Sequence, residues 1–176
     1  MKRICFLLLF ISSFYFATSC LLEDKMRIPD DALRIRIIPN SNSSFDQNIK
    51  GKVKEKLEIT MYDLLKDVKD SNEASTIISN NLDLVDKDVK KILSEEEYDK
   101  GYNISFGLNY FPEKEYKGVS YEEGYYESLL VTLGEGRGDN WWCVLYPPLC
   151  LIEGNESDDV TYKSLVKEIL NKYLHE

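Results

Sequence analysis

Histidine is almost missing from this chain: among 176 residues there is one, His175, next to the C-terminus. At a fraying helix end it reads as a solvated terminal group, mildly favourable beside the helix C-terminus, rather than as a catalyst. Ser-His-Asp and Cys-His catalysis and multi-histidine zinc sites therefore lack their central component. Positive charge is scarce too, with 22 Lys+Arg against 31 Asp+Glu. Phosphate backbones need a basic face, and no Lys/Arg cluster dominates any segment, so nucleic acid is excluded as a partner. There is no internal repeat, and cysteine is limited to four residues.

Long apolar runs are absent apart from one at the N-terminus, MKRICFLLLFISSFYFATSC. Lys2 and Arg3 precede an apolar stretch of about 13 residues, shorter than the ~20 that span a bilayer, and small residues follow. Residues 1–19 read as a secretory signal. Ala17-Thr18-Ser19 fits an A-x-A-like cleavage site and also a loose lipobox ending in Cys20, so Cys20 is a candidate for lipidation and a membrane tether. Cleavage would remove two bases and no acid, leaving 20 bases against 31 acids, a balance of −11. Residues 20–31, polar after two leucines and carrying Pro29, read as a tether, and residues 32–176 as a single domain.

Within that domain, ALRIRII alternates Leu33, Ile35 and Ile37 with Arg34 and Arg36, the period of a half-buried strand. From Phe45 the period changes to Ile49, Val53, Leu57, Met61, Leu65 and Val68, an amphipathic helix that Ser43 or Ser44 can cap. A second helical stretch runs from about Asn72 and breaks near Asn80-Asn81. YNISFGLNYF is a clear strand ended by Pro112, and a charged, tyrosine-rich loop from Glu113 to Gly124 leads to the strand YYESLLVTLG. The segment GEGRGDN should then close a hairpin onto WWCVLY, with Gly134, Gly136 and Gly138 supplying positive φ. DDVTYKSLVKEILNKYL is a last helix with acids at its N-terminal end. This order predicts an α+β fold: a largely antiparallel sheet of about four strands covered by helices.

Chemistry in the remaining motifs is sparse. GEGRG lacks the G-x-G-x-x-G spacing and a following helix, which leaves no nucleotide cofactor to assign. Two cysteines without further ligands make no metal site. Cys143 and Cys150 bracket Pro147-Pro148 and form the natural disulfide pair once Cys5 leaves with the signal and Cys20 is set apart. Trp141 and Trp142 are adjacent on a strand and so point to opposite faces. One enters the core beneath the helices; the other lies on the far face, covered by another element or offered to a partner. Acidic pairs such as Glu122-Glu123 leave a carboxylate-dependent cell-wall hydrolase as an alternative, and Arg137-Gly138-Asp139 spells an adhesion tripeptide.

GEGRGDNWWCVLYPPLC resembles the C-terminal signature of the stage II sporulation protein R family of endospore-forming bacteria. RIRIIPNSNSSFDQNIKGKVKEKL, YFPEKEYKGV and EGYYESLLVTLGEG resemble its other segments in the same order, over about residues 32–152. Pro39 and Asn42 depart from the pattern, standing where a small residue and an Asp are expected. The resemblance implies a non-enzymatic signal exported into the space between forespore and mother cell. There it would activate a membrane-embedded aspartic protease that processes the sigma-E precursor. Arg137, Asp139, Asn140, Trp141 and Trp142 are the expected contact surface.

Overall fold

The alternating segment at Leu33 does form a strand, β1 (Leu33–Ile38), but both of its faces are covered. The computed structural model describes residues 28–117, 119–150 and 166–172; the expected signal, Cys20, His175 and most of the last helix lie outside the described residues. In chain order β1 is followed by α1 (Ser44–Leu65), α2 (Ser71–Asn80), α3 (Leu82–Glu95), β2 (Tyr102–Phe111), β3 (Lys114–Tyr116), β4 (Val119–Tyr121), β5 (Gly124–Leu133) and β6 (Trp141–Tyr146). The main sheet has the order β2-β5-β1-β6. β2/β5 and β1/β6 pair antiparallel and β1/β5 parallel, so the sheet is mostly antiparallel and the fold is α+β.

Local chemistry accounts for the helices. The Ser43 hydroxyl caps α1 by accepting from Asp46 N at 3.1 Å, and Asp70 caps α2 by accepting from Glu73 N at 2.8 Å. The expected break falls at Asn81, whose φ of −116° and ψ of 20° end α2 and begin α3. Each helix lays its apolar stripe on one face of the sheet. Ile49, Val53 and Leu57 of α1, Ile78 of α2 and Val85 and Val89 of α3 are wholly enclosed with Ile35, Ile37, Leu129 and Val131. Each such side chain contributes about 1.5–3 kcal/mol on burial.

A second, smaller core covers the opposite face. Ile28, Ala32, Val119, Tyr121, Val144 and Leu149 meet Val166 and Leu170 of the helical stretch 166–172. Ile28, inside the segment expected to be tether, belongs to this core. The expected loop from Glu113 to Gly124 contains a two-stranded ribbon, β3 paired with β4, which lies over this second face. Its aromatic residues give the ribbon apolar surface to bury, which charge content alone conceals.

The expected hairpin is corrected. β5 and β6 do not pair; β1 lies between them. A strand enclosed on both faces gains most from neighbours on both edges, and β1 takes that central place. The GEGRGDN segment instead passes over the end of β1 and bonds to the loop that leaves it: Arg137 N donates to Asn40 O at 3.2 Å and Gly138 N to Pro39 O at 3.0 Å. Gly134 and Gly136 have φ of 55° and 64°, as expected. Gly138 does not share that conformation; it is needed because a Cβ there would strike the Ser41 carbonyl oxygen.

Candidate partner-binding site

The crossing segment is held by one buried carboxylate. Asp46, in the first turn of α1, is 1% exposed. It accepts from Asn40 Nδ2 at 2.9 Å, Ser41 Oγ at 2.5 Å and Lys100 Nζ at 2.9 Å. Burial alone would raise its pKa, but these hydrogen bonds outweigh it and hold the carboxyl well below the usual carboxylate range. Asn40 in turn accepts from Glu135 N at 3.1 Å, and Asn42, the residue departing from the family pattern, accepts from Asp139 N at 2.6 Å. Lys50 Nζ donates to Asp139 O at 2.9 Å. The start of β6 is therefore anchored through two loops to the N-terminus of α1.

β6 occupies one edge of the sheet, and its register settles the tryptophans. Trp141 lies opposite Ile37 and Trp142 opposite Arg36. Trp141 packs against the helix-side core, with Lys54 Nζ 5.2 Å from its ring. Trp142 lies on the other face, 5.4 Å from Phe111. Both are half-buried. A β-bulge between Leu33 and Arg34 sends Leu145 and Tyr146 both toward the helix-side core. Beyond them the chain reverses, and Cys143 and Cys150 are joined in a disulfide with Cα atoms 5.6 Å apart.

On the Trp142 face, cations and rings alternate. The Arg34 guanidinium lies 3.3 Å from the Tyr126 ring centre and 5.1 Å from that of Phe111. Arg36 lies 4.2 Å from Phe111 and 5.3 Å from Trp142, and Lys114 is 5.1 Å from Trp142. Arg36 also donates to the Tyr110 carbonyl oxygen. Arg34 is 2% exposed, yet its Nε and Nη2 are buried without a hydrogen-bond partner, as is Nε of Arg36. The described ion pairs include neither arginine, nor Lys114. Burial pushes both guanidinium pKa values down, with the Tyr126 and Tyr121 phenols opposing this at Arg34; both groups remain cations. Ring faces offer part of the lost solvation and the Tyr126 phenol a side-chain hydrogen bond to Arg34, yet Nε and Nη2 of Arg34 remain without an acceptor.

A cavity of about 240 Å³ opens beside this arrangement, bordered by Trp141, Trp142, Cys143 and Val144 of β6. Strand side chains alternate between faces, so four consecutive residues border one cavity only along the strand's outer edge. Asn140, Arg34, Lys54, Lys114 and the phenols Tyr116 and Tyr121 make up its polar lining, and no described lining residue is acidic. Of the expected contact residues, Asn140, Trp141 and Trp142 come together here. Arg137 and Asp139 do not line it. Arg137 is exposed and paired with Glu135 at 3.1 Å, and the bonds of Asp139 are made by its backbone. Sequence reasoning missed Arg34, Lys54 and Lys114. Their only signal was an arginine alternating within an apolar strand and lysines near aromatic residues, which also describes a solvated face.

Comparison with known proteins gives a consistent answer. The profile described as stage II sporulation protein R matches residues 29–174. The stage II sporulation protein R of Bacillus subtilis (strain 168) is 35% identical over 133 residues, 76% of this chain and 59% of that relative's length. No solved structure matches the chain. The matched span contains both buried ions, the ribbon and the edge strand with its paired cysteines, and the chain belongs to the stage II sporulation protein R family, a family of sporulation proteins.

Proposed function

We propose that this protein is exported through the signal at residues 1–19 and acts by binding. It activates the membrane-embedded aspartic protease of the mother cell that removes the pro-sequence from the sigma-E precursor. Family membership is the observation that carries this reading. The Cys143–Cys150 disulfide supports it, because such bonds persist in oxidising, extracytoplasmic space. Cys20, if lipidated, would hold the domain at the membrane where the protease resides.

Binding activates an enzyme only when the active state is bound more tightly than the inactive one. On this reading the edge of β6, with Asn140, Trp141 and Trp142, meets the protease. Arg137 and Asp139 lie on the neighbouring loop, at the border of the same surface. The test is co-expression of the exported protein with the protease and the sigma precursor, scored by the size of the precursor. Shortening that depends on both the protein and its signal is expected. Unchanged precursor with both proteins present at the membrane overturns the reading.

A further inference from the structure

The geometry points to the β6-edge cavity as a receptor for an extended, acidic polypeptide segment, whose carboxylate meets Arg34 and Lys114 while its backbone runs along the outer edge of β6. Among the described strands β6 pairs only with β1, and none adds to it on the cavity side, where strand addition would seat a segment. Arg34 is the strongest pointer. A guanidinium 2% exposed with two unpartnered donors is costly to maintain, and a carboxylate satisfies such a planar fork with paired, charge-assisted bonds. Lys114 on the ribbon and Lys54 on α1 place further positive charge on either side of the strand; Lys54 is also 3.7 Å from Glu58. This concentration of cations stands in a chain of net charge −9, where a basic cavity without lining acids is against the general trend. Trp142 and Phe111 give the cavity apolar walls, which suit the stem of an acidic side chain better than a bare hydrated ion.

This deepens the docking reading and rests on it for the choice of a protein partner, but its test needs no protease. Both tryptophans of the chain line the cavity, so intrinsic fluorescence reports occupancy directly. The probes are acetyl-Val-Glu-Val-Glu-Val-Glu-Val-amide, its counterpart with lysine for glutamate, and inorganic phosphate. Saturable change with the acidic peptide alone is expected, weakened by salt as charge screening grows. Lys114→Glu should reduce its affinity about tenfold or more, and Arg34→Met should abolish it. Lys91→Glu, on an exposed face of α3, should leave affinity within about twofold. Should Arg34→Met fail to fold, Lys114→Glu on the exposed ribbon carries the test. Equal binding of both peptides, binding unchanged by Lys114→Glu, response to phosphate without response to peptide, or no response at all each overturns the inference. Failure here leaves the co-expression result untouched, and failure of that assay leaves the peptide titration untouched.

Discussion

Asp46 and Arg34 are enclosed to nearly the same degree, 1% and 2% exposed, in regions at opposite ends of β1, and the protein treats them differently. Around Asp46 the chain supplies an amide, a hydroxyl and an ammonium, and the same amide residue ties the β5–β6 crossing to α1. Around Arg34 it supplies ring faces and the Tyr126 phenol, and leaves Nε and Nη2 without acceptors. Burying a charge costs several kcal/mol unless it is paired and hydrogen-bonded, so the first arrangement holds the fold together and the second is sustained at its expense. A buried ion with every partner internal is structural; one that keeps unsatisfied donors is where an external partner gains most.

The contrast is broken most forcefully at Asp46. Asp46→Asn should cost about 3 kcal/mol, because Lys100 loses its charge partner and the loop its strongest acceptor. Denaturant unfolding followed by far-UV circular dichroism measures this. The same residue fixes an acid dependence. Its folded pKa lies below the ordinary 3.8, so its contribution is full above that value and is lost as pH falls toward the folded pKa. Stability of the parent should therefore drop on acidification below about pH 5 more steeply than that of Asp46→Asn. A parallel fall in both proteins would contradict the assignment of Asp46 as the paired anion.

Next in size is the staple at the other end of the edge strand. Replacing Cys143 and Cys150 together by serine should cost about 2.5 kcal/mol through the entropy of the short loop they close, measured as a lowered denaturation midpoint. Arg34→Met sharpens the comparison from the opposite side. Removing an unpaired buried cation for an apolar side chain of similar length should leave stability unchanged or raise it by about 1 kcal/mol. A loss of 3 kcal/mol or so, like that at Asp46, would mean that the ring contacts alone make Arg34 structural. The smallest effect is expected at Lys114→Glu: within about 0.5 kcal/mol in unfolding, since the residue is exposed, while acidic-peptide affinity falls about tenfold or more.

Much of the fold is legible in the chain itself, for reasons of period. The spacing Ile49, Val53, Leu57, Met61 permits one buried stripe, which is what α1 presents, and Asn80-Asn81 interrupts a helix where an αR chain is easily left. Alternation in YNISFGLNYF and YYESLLVTLG admits only strands, and adjacent tryptophans on a strand must face apart. The cysteine pair is legible from proximity and turn chemistry. Pairing order is not. GEGRGDN has the residues of a hairpin turn, and nothing local reveals that β1, a hundred residues earlier, lies between the strands it connects. Nor does LRIRII reveal that its arginines are enclosed, because alternating charge along a strand is the same pattern whether the second face meets water or a ribbon.

The sequence by itself determined the secondary elements, the α+β class, the disulfide pair and the resemblance to a sporulation family, since each depends on neighbours within about a turn or on a contiguous string of residues. Tertiary structure alone decided which strand is central, which is an edge, and that Asn140, Trp141 and Trp142 share a cavity with Arg34, Lys54 and Lys114. These six residues come from β1, α1, the ribbon, β6 and the residue just before β6, and only the burial of two faces of one sheet brings them together. The desolvation that gives Arg34 its unsatisfied donors likewise exists only once the ribbon has closed over it.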